Sequence, residues 1–243
     1  VKKNIDLVFI LDASGSMGDE IDAVKNSIKD IIDRVNEDNP GLLRAGLYVF
    51  EGQGDQTGFV SKPSYCGSSG DMGAVHLTDN AQLLKDRLSQ VNDGCGLEPW
   101  AHLTVQVLND SSFGWRPDAV RMIITISDEP NDKCNSESRC ANNGKGDLDG
   151  LDSAINAVNN HNAYFFGIYN TNGACPNGAE PAMKYVDSKT SGEAYRYTNA
   201  SQIPNKIKEA INYVLSNDTF MITREEGPDW DDLQANFEIQ NIA

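Results

Sequence analysis

Leu7-Val8-Phe9-Ile10-Leu11-Asp12-Ala13-Ser14-Gly15-Ser16-Met17 is the stretch that decides how the chain reads. Five consecutive apolar residues describe a strand covered on both faces, and the run stops on a carboxylate followed by hydroxyls at alternate positions. Ala13 and Gly15 keep the turn tight, so Asp12, Ser14 and Ser16 offer three hard oxygen donors at the carboxyl end of that strand. Such donors suit Mg2+, Ca2+ or Mn2+ rather than zinc or copper.

Beyond the motif, Ile21, Val24, Ile28, Ile31, Ile32 and Val35 recur at helical spacing over 19–36. Asp12-Ala13-Ser14-Gly15-Ser16, set between an apolar strand and a helix, resembles the DxSxS signature of the von Willebrand factor type A family. The resemblance spans residues 4–217 and implies an α/β fold: a doubly wound, mainly parallel twisted sheet with helices on both faces. It also implies a metal-ion-dependent adhesion site at the top of that sheet, completed by two further loops.

The first of these is Asn92-Asp93-Gly94-Cys95-Gly96-Leu97-Glu98-Pro99-Trp100, ahead of an expected helix at 99–108. In the family this loop usually delivers a threonine to the metal, yet none stands here before Thr104. Glu98, directly before the helix-starting proline, resembles the variant in which a carboxylate takes that role. Three carboxylates would hold a divalent ion more tightly and leave it less attractive to an acidic ligand. The plainer reading of Glu98 is a charge at a helix N-terminus. The second loop follows an apolar strand at 119–127 that also ends on a carboxylate, Asp128, which in the family often reaches the metal through water. Two strands ending in Asp at one edge of a parallel sheet mark the usual address of a ligand site.

A strand at 43–50, an edge strand at 72–78, a helix at 79–91 capped by Thr78 or Asp79, a helix at 150–160 and a strand at 164–169 are expected in turn. A helix at 180–188, a strand at 194–197 and a closing helix at 203–215 complete the domain, taken as 1–217 with long insertions at 51–71 and 129–150. With the strand order that the resemblance implies, the two insertions would flank the expected metal and form the natural specificity surface. Residues 218–243 read as an extension, with short strands at 219–224 and 235–242, that packs back or begins another domain. Asp147, Asp149 and Asp152 are faintly like a calcium loop, though a helix N-cap is the simpler account.

A chain of 243 residues buries a core without staples. Twenty basic residues against 36 acidic ones give a net charge of −16, which argues against nucleic acid and anionic lipid as partners. No apolar run is long enough for a membrane helix. Five cysteines, Cys66, Cys95, Cys134, Cys140 and Cys175, are disulfide candidates, with one left over. Cys134 with Cys140 is the favoured pair, because it closes a short loop. The chain opens at Val1 with neither an initiator Met nor an apolar leader, as expected of a piece of a longer protein.

No nucleophile–base pattern is present, and His76, His102 and His161 read as structural, so the chain is not expected to be an enzyme. His102 alone stands close enough in sequence to Glu98 to sustain a metal-assisted hydrolase as an alternative. The resemblance implies a cation-dependent adhesion module for a protein or glycan ligand whose acidic group completes the metal shell. A scaffold whose metal only stiffens the fold is the competing reading. Loops suited to disulfides place the chain outside the cell or at its surface; reduced cysteines would revive a cytoplasmic setting.

Overall fold

Ile5–Asp12 forms β1, buried along its whole length. Alternation along the strand divides the interior: Leu7, Phe9 and Leu11 enter one core, Val8 and Ile10 the other. An apolar run with no polar face requires such cover on both sides. The computed structural model describes residues 3–37, 40–54, 59, 73–94, 96–132, 140–173 and 175–217.

In chain order, β1 is followed by α1 (Gly18–Glu37), β2 (Leu43–Phe50), the short β3 (Gln53–Gly54) and β4 (Gly73–Thr78). Then come α2 (Ala81–Leu88), the short β5 (Val91–Asn92), α3 (Trp100–Asn109), β6 (Val120–Ser127), the single turn α4 (Ala141–Gly144) and α5 (Leu148–Asn160). The chain continues through β7 (Tyr164–Tyr169), α6 (Glu180–Asp187), β8 (Ser191–Arg196) and α7 (Ile203–Asn217). The main sheet has the order β4-β2-β1-β6-β7-β8, parallel throughout except for the antiparallel edge strand β4. Buried residues of α1, α2 and α7 share the first core, those of α3, α5 and α6 the second. The fold is therefore the doubly wound α/β architecture expected from the sequence.

Asp6 interrupts β1 without interrupting its burial. Its carboxylate, fully buried, accepts from Arg44 Nε at 3.0 Å and Nη2 at 2.9 Å, and from Arg116 Nε at 2.9 Å and the Arg116 backbone N–H at 2.6 Å. A buried carboxylate held by two guanidinium groups is a structural tie at the amino ends of the strands.

Some boundaries differ from expectation for local reasons. The second helix stops at Leu88, because Val91–Asn92 instead pairs antiparallel with Gln53–Gly54. Its N-cap is Asn80, whose side chain accepts from the Leu83 backbone N–H, rather than Thr78 or Asp79. β8 begins at Ser191 because it pairs along the whole of β7. The expected strands at 219–224 and 235–242, and most of the 51–71 insertion, lie outside the described residues. Among the described residues no helix is long and apolar enough to cross a membrane.

Candidate metal centre

The chain runs outward from β1 to β2 and later returns to β6 on the other side, so the strand order reverses between β1 and β6. In open α/β sheets ligands lie outside the carboxyl ends of the strands at such a reversal. Asp12 ends β1 and Asp128 follows β6 at this place.

Local hydrogen bonds fix the first loop. The Ser14 backbone N–H donates to Asp12 Oδ1 at 2.8 Å, closing an Asx turn, and the Met17 N–H reaches the Ser14 carbonyl at 3.0 Å before α1 begins. Ser14 Oγ and Ser16 Oγ stand 3.5 Å apart, and Ser16 Oγ donates to Asp128 Oδ1 at 3.2 Å. The parallel pairing of Leu11 with Ile126 sets Ser127 beside Asp12, and its hydroxyl donates to Asp12 Oδ2 at 2.6 Å. Asp12, Ser14, Ser16 and Asp128 are thus brought together, with Ser127 as a supporting hydroxyl that sequence reading missed.

Burial pushes the Asp12 carboxyl up to about 7, helped by the charge of Asp128 and opposed by the hydrogen bonds from Ser127 and Ser14. Neither of the donors it meets is charged. A divalent cation fits this set on chemical grounds: the donors are carboxylates and hydroxyls, and Asp12 is a fully buried acid bonded by no Lys, Arg or His among the described residues.

The glycine-rich loop closes on the motif through backbone. Gly94 N–H donates to the Ala13 carbonyl at 2.8 Å, and a Cβ on Gly15 would lie 2.7 Å from the Gly94 carbonyl oxygen. Only glycine allows that approach. Pro99 occupies the N-cap of α3, and Glu98 precedes it, buried, with its backbone carbonyl accepting from the Asp132 N–H at 2.9 Å. Among the described residues no group of three Asp, Glu, His or Cys side chains is poised to hold a metal ion. Glu51 is a further carboxylate that sequence reading passed over. It is buried just after β2 with φ +57°, and a Cβ on Gly96 would fall 1.7 Å from its Oε2. A glutamate in the left-handed region is uncommon, and such backbone gathers at functional sites.

A third loop supports Asp128 from behind. A Cβ on Gly173 or Gly178 would come within 2.4 Å or 2.7 Å of the Asp128 carbonyl oxygen, so this segment after β7 lies directly on the Asp128 backbone. A disulfide between Cys140 and Cys175 ties it to the 129–150 insertion. The favoured pairing of Cys134 with Cys140 is therefore corrected: loop shortness said nothing about space, whereas the adjacent β6 and β7 bring their following loops together. Cys66, Cys95 and Cys134 lie outside the described residues.

The remaining candidates have partners of their own. Asp147 takes the N-cap position of α5, but its side chain turns to His102 Nε2 at 2.7 Å. Asp149 and Asp152 are exposed, whereas Asp147 is buried. His76 packs on Phe113, and His161 bonds Arg121 and Asn109.

No protein-family model and no curated protein sequence matches the chain. Solved structures do. The pilus adhesin SpaC from Lactobacillus rhamnosus GG, in its open conformation, superposes with a TM-score of 0.55 at 15% identity, over 88% of this chain and 30% of the adhesin. Proximal thread matrix protein 1 from the mussel byssus gives 0.58 at 13% identity, over 88% of this chain and 48% of that protein. At these identities the likeness is one of fold. The chain spans less than half the length of either protein.

Proposed function

We propose that the chain is a divalent-cation-dependent ligand-binding module of the von Willebrand factor type A kind. The observation that carries this reading is the meeting of Asp12, Ser14, Ser16 and Asp128 at the reversal of strand order, with Asp12 buried and bonded only by uncharged donors. Asp12, Ser14 and Ser16 would hold the cation directly and Asp128 through water, with Glu98 the candidate for a further position. The bound ion would supply a Lewis-acidic position open to an acidic group of a protein or glycan ligand. Ser127 keeps Asp12 oriented, and the disulfide-tied loop keeps Asp128 in place.

The role proposed is recognition rather than catalysis, since the sequence carries no nucleophile–base pattern. Two proteins of similar fold are a pilus adhesin and a thread matrix protein, which supports adhesion outside the cell as the setting.

Calorimetric titration of chelator-stripped protein with Mg2+, Ca2+ and Mn2+ tests the proposal. Wild type should bind one ion per chain, Asp12→Ala should not, and Glu98→Ala should bind more weakly if Glu98 is a ligand. Equal binding by wild type and Asp12→Ala would overturn the assignment. Metal binding that proves necessary for stability but indifferent to ligand capture would establish the scaffold reading instead.

A further inference from the structure

At the end of the sheet opposite Asp12, a cavity of about 900 Å³ opens beside the amino ends of β6, β7 and β8 and the carboxyl end of α5. Its volume lies within the range of small-molecule sites. Lys3, Arg121, Asn159, Asn160, Asn162 and Ser191 supply most of its polar lining.

Arg121 is the informative residue. Of the described arginines, Arg44 and Arg116 both clamp Asp6. Arg121 meets no carboxylate among the described residues. It is nevertheless held in position. Its Nη1 donates to Nδ1 of His161 at 2.7 Å, and its guanidinium carbon lies 5.4 Å from the ring centre of Trp115. His161 Nε2 in turn donates to Asn109 Oδ1 at 2.9 Å. Burial and the charge of Arg121 lower the pKa of His161, so the ring stays neutral and accepts from Arg121. One corner of the guanidinium is thus pinned and its face stacked, while the rest of its donor fork remains for a planar anion. Asp118, the acidic residue of the lining, already accepts from Asn4 at 3.0 Å.

We propose that this cavity is a second ligand site, for an acidic saccharide whose carboxylate lies on Arg121 and whose hydroxyls meet the asparagine amides. Amides both donate and accept, which matches the dual character of sugar hydroxyls. Polarity also sets the orientation. The carboxyl end of α5 carries partial negative charge, which disfavours a carboxylate and favours donating hydroxyls, so the sugar body faces Asn159 and Asn160 and the acid faces β6.

Saturation-transfer NMR and calorimetry with glucuronate, and with glucose as the uncharged counterpart, test this in chelator, which silences the metal centre. Glucuronate should bind in the millimolar range, and glucose about tenfold more weakly or not at all. Arg121→Gln should weaken glucuronate about tenfold, and Asn160→Ala, at an exposed helix end where folding is not at stake, severalfold. Asp12→Ala should bind it as wild type does, which separates this site from the metal centre. Absence of glucuronate binding, indifference to both cavity variants, or loss in Asp12→Ala would each overturn the proposal.

Discussion

Asp12 is asked to be buried and charged at once, and the conflict is measurable without any cation present. Its carboxyl is raised to about 7, and that of Glu20, buried against Tyr197 and Asn170, is raised as well, chiefly by burial. A carboxyl whose folded pKa exceeds its unfolded value adds stability below the unfolded value and loses it as pH rises through the folded one. Chelated protein should therefore lose about 2 kcal/mol of stability between about pH 5.5 and about pH 8, and Asp12→Asn should remove most of that slope. Thermal melts across this interval check it; a flat wild-type profile would contradict the burial of an acid at this place. Gly15 makes a different demand, since a Cβ there meets the Gly94 backbone. Gly15→Ala should cost about 1–3 kcal/mol and weaken cation binding about tenfold, because the two loops must part. Asp12, Ser14 and Ser16 were legible in sequence because five consecutive residues carry them. Ser127 and Glu51 were not, since one depends on strand register and the other on a left-handed turn that no glycine announced.

Among elements, β6 and β7 with the loops that follow them connect the site to the rest of the fold. The Cys140–Cys175 bridge, 35 residues apart in sequence, closes this unit against the back of Asp128. In the loop-entropy account such a closure is worth about 3–4 kcal/mol. Reduction, or the double change Cys140→Ser with Cys175→Ser, should lower the melting temperature and weaken cation affinity while leaving far-UV circular dichroism unchanged. An unchanged affinity would mean that the glycine contacts alone hold Asp128. The strands and helices of this unit could be read from periodicity, and the helix faces from the spacing of apolar residues. The cysteine pairing could not, because it depends on which strands are neighbours, and a sequence-local criterion chose Cys134 for Cys140. Glu98 illustrates the same limit: its place before Pro99 was plain, whereas its burial is a matter of loop path.

Over the whole molecule, charge and topology divide the labour. Asp12 and Asp128 stand at the carboxyl edge of the sheet, whereas Asp6 with its two arginines, and Arg121 in its cavity, stand at the amino edge. A net charge of −16 draws cations towards the protein from a distance. Apparent affinity for Mn2+ should accordingly fall severalfold between roughly 0.02 M and 0.5 M NaCl, and calorimetry at fixed pH reads it. A salt-independent affinity would show that only the nearest ligands matter. The doubly wound sheet was legible from one motif and a succession of apolar runs, and its likeness in fold to a pilus adhesin and a thread matrix protein agrees with that reading. The most direct test of the metal centre is anomalous diffraction from crystals grown with Mn2+. One strong peak bounded by oxygens of Asp12, Ser14, Ser16 and Asp128 is the predicted result, and manganese bound only elsewhere, or not at all, would contradict it.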